Sequence, residues 1–275
     1  MKRIIPLFLM TILILSCGGR IGKGKDIITV TILPQKYFVE KIAGDKYTVN
    51  VMVPPGSSPA TYEPTPKQLQ DLLNSKLYFM NGHLPFEKAW GEKIKEVNKG
   101  MSVIDTSVGV NIITGSDPHI WLSPREVKVQ VNHMYQAFME VDPDNAEKYT
   151  SNFNSFTSQI DKLDQRIRSI LRNISKRTFM VFHPAWSYFA RDYGLTQFAI
   201  EREGKAPNPG TIKSLVDTAR REGISTIFIQ KQFDTHSARI IASEISGKLV
   251  VLDHLGENWF ENLEVMAEAF NEAFK

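Results

Sequence analysis

A long segment without proline or glycine divides the sequence into two halves. It runs from Ala146 to about Ser175, and its apolar residues recur every three or four positions, as in an amphipathic helix. At 1.5 Å per residue, roughly 28 helical residues would form a rod of about 40 Å. Such a rod is either a long surface helix of a single domain or a connector between two domains.

Short β-branched and aromatic runs alternate with helical patterns on both sides of this segment. Such alternation favours parallel strands joined by helical crossovers, and therefore an α/β fold. The predicted strands span residues 27–33, 47–53, 77–80, 179–182, 226–229 and 249–252. We therefore expect two Rossmann-like lobes, at 26–143 and 177–275, joined by a rigid linker helix at 144–176.

The N-terminus has the pattern of a bacterial lipoprotein signal peptide. A short basic region with Lys2 and Arg3 precedes an apolar run at 4–15 that is too short for a comfortable membrane span, and small residues surround Cys17. Cys17 is the only cysteine of the sequence, and we expect it to carry a lipid anchor. A plain signal peptide with an incidental cysteine is the alternative. Residues 18–25 are small, polar and basic, which is typical of a flexible tether.

The charge and cysteine content exclude two classes of protein. Basic and acidic residues are interspersed and the formal net charge is only +3, so the chain has no electrostatic footprint for nucleic acid. A single cysteine has no partner for an internal disulfide. The fold must therefore be held together by its apolar core.

Residues able to bind a metal follow the predicted strands. His183 comes directly after the strand at 179–182, Asp253 directly after the strand at 249–252, and His119 lies in the segment Asp-Pro-His-Ile-Trp. In open α/β sheets, ligands bind outside the carboxyl ends of the strands. Imidazole and carboxylate there suit zinc or manganese. Each histidine taken alone is more simply an ordinary hydrogen-bonded residue, because the long spacings match no local metal motif.

Several segments, in this order, strongly resemble the ZnuA/TroA-like solute-binding lipoproteins of zinc and manganese ABC importers. The resemblance spans nearly the whole chain after the signal peptide. It implies two lobes joined by one rigid helix, with a metal held in the cleft between the lobes by three histidines and one carboxylate. The matching segments are PPGSSPATYEPTP at 54–66, DPHIWLSP at 117–124, FHPAW at 182–186, IFIQKQF at 227–233 and VLD at 251–253.

The resemblance assigns three of the four metal ligands to residues of this chain. By position, His119 matches the second histidine of the family, His183 the third histidine and Asp253 the carboxylate. The first histidine has no counterpart, because Ala60 stands at its position and a methyl group cannot bind a metal.

The vacant ligand position has several candidates. We expect His83 to fill it, because His83 lies just after the predicted strand at 77–80; an exposed loop histidine is the alternative. Glu63 is a weaker candidate, since the family normally carries an acidic residue there alongside the histidine. His254 adjoins Asp253, but successive side chains of an extended chain point to opposite faces. We therefore do not expect both of them to reach one metal.

The favoured function is binding and delivery of a metal, and we do not expect an enzyme. The chain is predicted to be the extracytoplasmic substrate-binding component of an ABC transporter, anchored to the membrane of the bacterial cell envelope through Cys17. We expect it to act as a monomer that delivers a divalent transition metal to the membrane permease. Histidine ligands favour zinc, with manganese next. The chain lacks the His-rich loop that often marks zinc importers of this family, which keeps manganese and iron open.

Two other functional classes remain as alternatives. A lipoprotein adhesin or scaffold of the same fold could have lost metal binding together with the histidine at position 60. A metal-dependent hydrolase is the second alternative, because three protein ligands with an open fourth position also describe catalytic zinc sites. The sequence contains no HExxH-like motif that would support this hydrolase.

Overall fold

The computed structural model describes residues 25–113, 117–202 and 204–275. The predicted signal peptide, Cys17 and nearly all of the predicted tether lie outside the described residues. No helix in the described ranges is both long and apolar enough to cross a membrane.

The chain builds two parallel sheets of four strands each, with the strand orders β2-β1-β3-β4 and β6-β5-β7-β8. In both sheets the second strand is added on one side of the first strand and the third strand on its other side. This change in the order of strands creates a crevice at the carboxyl ends of the central strands. The predicted α/β fold with two lobes is confirmed. The strands are β1 Ile27–Val30, β2 Thr48–Val51, β3 Ser75–Met80, β4 Ser102–Asp105, β5 Thr178–Val181, β6 Thr196–Ala199, β7 Thr226–Ile229 and β8 Lys248–Val251.

Helices cover the sheets and connect their strands. The first strand is shorter than predicted because Pro34 lies in the first turn of α1, where the fixed φ and missing N–H of proline are tolerated. Strands β4 and β6 are additions to the predicted elements. The helices are α1 Leu33–Ala43, α2 Pro66–Leu73, α3 Pro85–Val97, α4 Pro124–Val141, α5 Ala146–Ile170, α6 Ser187–Tyr193, α7 Pro209–Arg221, α8 His236–Glu244 and α9 Trp259–Ala273.

Helix α5 is the predicted rod, and it ends at Ile170, five positions before the predicted end near Ser175. Its 25 residues extend over about 37 Å. One side of the helix is buried, and it packs against α1 and α4 of the first lobe and α9 of the second. The buried residues are Tyr149, Phe156, Ile160, Leu163 and Ile167. The rod therefore belongs to a core shared by both lobes. The exact boundaries of the domains stay a prediction.

Two buried tryptophan side chains connect the lobes, beside the loops at the carboxyl ends of the strands. Trp121 lies in a single 3-10 turn at Ile120–Leu122, and its Nε1 donates to the carbonyl of His254 over 2.6 Å. In the opposite direction, Nε1 of Trp259 donates to the carbonyl of Trp121, also over 2.6 Å. Both tryptophans are 1% exposed. We call this reciprocal arrangement the tryptophan pair; it fixes the loop before α4 against the loop before α9.

A second link between the lobes is ionic. Arg191 of α6 donates from Nη2 to Glu126 of α4 over 2.6 Å, and Glu126 is 2% exposed. The hydroxyl of Ser123 donates to the carboxylate of Asp192 beside this ion pair. Because separating the two groups would leave the buried charge of Glu126 without a partner, these contacts hold α4 and α6 together.

Replacing Trp121 should reveal how much the tryptophan pair contributes. Trp121→Phe leaves the buried carbonyl of His254 without its donor, which should lower the free energy of unfolding by about 1–3 kcal/mol beyond the loss of packing. The matched control is Trp186→Phe, since Trp186 is also fully buried but donates to Sδ of Met266 within the second lobe. Denaturant unfolding of the two variants gives the comparison. An equal or larger loss for Trp186→Phe would contradict the role given to the pair.

Candidate metal centre

Three histidines converge between the two lobes. Ring nitrogens of His119, His183 and His254 all lie within 4.8 Å of one another, and within the described ranges no other group of three potential His, Cys, Asp or Glu ligands comes this close together. His119 comes from the first lobe, immediately before the 3-10 turn. His183 follows β5 and His254 follows β8, at the carboxyl ends of two strands of the second sheet. We call these residues the histidine cluster.

Two of the imidazoles each have a carboxylate beside their Nδ1 atom. Nδ1 of His119 lies 2.6 Å from Asp117 Oδ1, and Nδ1 of His183 lies 3.2 Å from Glu201 Oε2. A carboxylate accepts a hydrogen bond from the protonated Nδ1, so in each neutral ring the lone pair is on Nε2. Both rings are therefore oriented with their metal-binding nitrogen away from the carboxylate.

The two free nitrogens face each other at a short distance. Nε2 of His119 and Nε2 of His183 are 3.2 Å apart. Two lone pairs at this separation repel each other unless a proton or a cation lies between them. This geometry therefore suits a shared metal ion.

The third histidine is held by its backbone and is buried. His254 is 2% exposed, its carbonyl accepts the hydrogen bond from Trp121, and its Nδ1 is buried without a hydrogen-bond partner among the described residues. Buried polar atoms without a partner are rare in proteins, and binding of an ion is one way in which such an atom is satisfied. The donor set and this unpartnered nitrogen both fit a metal with a preference for nitrogen ligands.

Burial favours the neutral, metal-binding form of two of the imidazoles, His183 and His254. Burial lowers the pKa of His183, and the hydrogen bond to Glu201 only partly offsets this effect. Burial also lowers the pKa of His254 well below its usual value, with further lowering from the nearby rings of His119 and His183. Burial acts to raise the pKa of Asp117, but its hydrogen bond and charge interaction with His119 lower the pKa overall. Asp117 therefore stays ionised beside the cluster, which favours a cation bound there.

Asp253, predicted as the carboxylate ligand, lies outside the histidine cluster. Its side chain is exposed and accepts hydrogen bonds from the backbone N–H of Leu255 and from Gln232, at 3.0 and 3.4 Å. Leu252 and His254 are buried on either side of it. The expected alternation of side chains is present, but it directs His254 to the site and Asp253 away from it. The sequence did contain a signal for this orientation. Leu252 is an apolar core residue, and in an extended chain the side chain of residue 254 points to the same face as that of residue 252.

His83, predicted to replace the missing first histidine, is also outside the cluster. It is half-buried in the loop between β3 and α3. Three backbone N–H groups of this loop, from Asn81, Gly82 and Leu84, donate to the buried carboxylate of Glu87. The loop is thereby wrapped around Glu87, and its apolar members Leu84 and Pro85 line the cleft instead of His83.

A cavity of about 650 Å³ opens beside the histidine cluster. Both lobes contribute to its walls, and Ala60 and the neighbouring Ser58, Pro59 and Thr61 form part of them. The residue at the family's first histidine position therefore lies at the same cleft as the cluster, but it presents no ligand atom.

Comparisons with known proteins identify the family of this chain. The family model described as "Zinc-uptake complex component A periplasmic" (ZnuA) matches residues 28–273. A protein of Chlamydia trachomatis serovar D is 31% identical over 265 residues, which cover 93% of this chain and 94% of that protein. The high-affinity zinc uptake system protein ZnuA of Bacillus subtilis strain 168 is 26% identical over 273 residues, covering 89% of this chain and 85% of that protein.

Solved structures show the same relationship. A crystal structure of ZnuA superimposes with a TM-score of 0.89 at 41% identity, covering 92% of this chain and all of that chain. The resemblance found in the sequence motifs is thereby confirmed. This chain belongs to the ZnuA family of periplasmic zinc-uptake components.

Proposed function

We propose that this protein is the extracytoplasmic substrate-binding component of a metal ABC importer, and that it captures zinc and delivers it to the membrane permease. The convergence of His119, His183 and His254 carries this proposal. A solved structure at 41% identity is described as a ZnuA deletion mutant with zinc bound, and the Bacillus subtilis relative is named for zinc uptake.

The ligand set favours zinc over manganese. Three imidazoles offer only nitrogen, and the affinity of such sites for zinc exceeds that for manganese in the usual order of divalent metals. Relatives with either metal exist, since a 27% identical lipoprotein of Streptococcus anginosus is named as a manganese ABC transporter component. The carboxylate that would favour manganese is Asp253, and its side chain lies outside the cluster. Manganese is therefore the second candidate.

Delivery requires that the metal can be released, and the origin of the ligands provides a route. His119 belongs to the first lobe, whereas His183 and His254 belong to the second. A small displacement of the lobes by the permease would separate one imidazole from the other two and weaken the metal bonds together. Binding and delivery therefore need no chemical step, and we propose no enzymatic activity.

The other functional classes have less support. An adhesin or scaffold that had lost metal binding with the residue at position 60 would have no need for three converging imidazoles, two of them backed by carboxylates. A hydrolase is disfavoured because relatives are named as metal-uptake and metal-transporter proteins.

We further propose that Cys17 carries a lipid that anchors the mature protein to the membrane. Cys17 lies outside the described residues, so the support comes from the signal-peptide pattern around it and from relatives. Proteins of Streptococcus parasanguinis and Halalkalibacterium halodurans, each 28% identical, are named as metal-binding or metal-transport lipoproteins.

Alanine variants of the histidine cluster test the ligand assignment. Replacing His119, His183 or His254 removes a direct bond to zinc and should weaken zinc affinity by more than the roughly 10–100-fold typical of residues behind the ligands. Asp253→Ala and His83→Ala are the matched controls and should leave the affinity nearly unchanged. Competition with a chromophoric chelator measures all five variants. A severe loss for Asp253→Ala together with a silent His254→Ala would overturn the assignment.

The anchor is tested separately from the metal site. Cys17→Ser removes the thiol to which the lipid would be attached, so the precursor should accumulate or the protein should be released in soluble form. Labelled palmitate and membrane fractionation in a bacterial host provide the measurement. Processed protein of this variant that still sediments with membranes would exclude lipid anchoring through Cys17.

A further inference from the structure

A tyrosine hydroxyl of the second lobe holds the segment of the first lobe that leads into His119. Tyr188 of α6 is fully buried, and its hydroxyl donates to the backbone carbonyl of Asp117 over 3.0 Å. The same hydroxyl accepts the backbone N–H of Ile113 over 3.2 Å. Loss of this hydroxyl would leave two backbone groups without this partner, which is costly away from water. One side chain thus fixes two points of the chain just before a metal ligand.

The aromatic ring of Tyr188 contributes to the same arrangement. Helix α6 contacts the 3-10 turn at Ile120–Leu122, which begins directly after His119. A small apolar cluster, separate from the main core, forms where the helix meets this part of the first lobe. The cluster consists of Val110, Ile120 and Tyr188, with Ile112, Ile113 and Val129 packed against it.

Asp117 transmits the constraint from Tyr188 to His119. Its Oδ1 accepts the backbone N–H of His119 over 2.9 Å and lies 2.6 Å from Nδ1 of the ring. A shift of Asp117 away from Tyr188 would therefore also displace the carboxylate that orients the imidazole. The tryptophan pair holds the chain after His119, whereas Tyr188 holds the chain before it.

Arg191 strengthens the contact between α6 and this segment. Its Nη1 donates to the backbone carbonyl of Asn111 over 2.9 Å, and its guanidinium lies 5.1 Å from the centre of the Tyr188 ring. Tyr188 and Arg191 are three positions apart, so they lie on the same face of the helix. The chain passes from His183 directly into α6. One face of α6 therefore connects the loop of His183 to the segment that carries His119.

We propose that Tyr188 is a positioning residue of the metal site, which acts through Asp117 and not as a ligand. Its hydroxyl holds His119 in the orientation in which this imidazole can share a metal with His183 and His254. Separation of the lobes breaks both hydrogen bonds of the hydroxyl and frees His119 to turn away, so Tyr188 couples lobe displacement to metal release. This inference rests on the proposed function, because it assumes a metal at the histidine cluster.

Removal of the Tyr188 hydroxyl tests the proposal. Tyr188→Phe keeps the ring in its apolar cluster but should weaken zinc affinity at least about 10-fold and speed zinc dissociation by a similar factor. The matched control is Tyr193→Phe, because Tyr193 lies in the same helix, is also buried and donates its hydroxyl to Asp164 of the rod over 2.9 Å. Its zinc affinity should change by less than about threefold. Chelator competition and stopped-flow release measure both variants, and equal effects in the two would overturn the proposal.

Cobalt in place of zinc separates a positioning role from a general loss of stability. The visible absorption bands of bound cobalt(II) depend on the number and geometry of its ligands. The spectrum of cobalt-loaded Tyr188→Phe should differ from that of the wild-type protein, whereas Tyr193→Phe should reproduce the wild-type spectrum. A wild-type spectrum for Tyr188→Phe would show that the hydroxyl does not orient a ligand.

Hydrogen exchange in the wild-type protein provides a test that does not depend on the folding of a variant. Coupling between two sites is reciprocal, so zinc at the cluster should stabilise the hydrogen bonds of Tyr188. Zinc loading should slow exchange of the Ile113 amide and leave unchanged that of Thr211, whose amide donates to Asn208 at the start of α7. Exchange at Ile113 that ignores zinc would contradict the coupling. A wild-type protein that binds neither zinc nor cobalt would refute the proposed function itself, whereas normal metal binding with a silent Tyr188→Phe would refute only the role of Tyr188.

Discussion

The metal site depends on one hydrogen bond between the lobes. Trp121 donates to the carbonyl of His254, and His119 lies only two residues before Trp121. A single indole therefore fixes the relative positions of two imidazoles that come from different halves of the chain. Trp259 returns a hydrogen bond to Trp121, so neither loop can shift without exposing a buried polar group. Binding sites need this support from packed neighbours, because a displacement of about 1 Å already disturbs coordination.

The electrostatics of the cleft follow from this fixed geometry. Imidazoles supply the nitrogens that can bind a metal, and the carboxyl groups of Asp117 and Glu201 lie behind two of them. The carboxylates orient the rings and raise their basicity, but they do not compete with zinc for the same position. The separation of 3.2 Å between two Nε2 atoms is favourable only with a cation present. The cluster thus offers a metal directed nitrogen donors, with negative charge behind two of them.

The sequence predicted the parts of the structure in which local pattern and tertiary position agree. The central strands and the rod were recognisable because their apolar residues repeat over a sufficient length. Strands β4 and β6 were missed because each has four residues and is only partly buried, with no run or alternation that identifies it. His119 and His183 were predicted from motif and topology, and the structure brings them together with His254. The sequence did not point to His254 because choosing between adjacent residues requires the inward face of that strand to be known, and His83 lies outside the cluster because its loop wraps around Glu87 of the following helix.

The central claim is that zinc is bound by three imidazoles drawn from both lobes. X-ray absorption at the zinc edge of the protein loaded with one equivalent of zinc tests this claim most directly. We expect nitrogen or oxygen ligands at about 2.0 Å and outer-shell scattering from three imidazole rings. A spectrum that required only two imidazole rings, with a protein carboxylate such as that of Asp253 bound directly to the zinc, would contradict it.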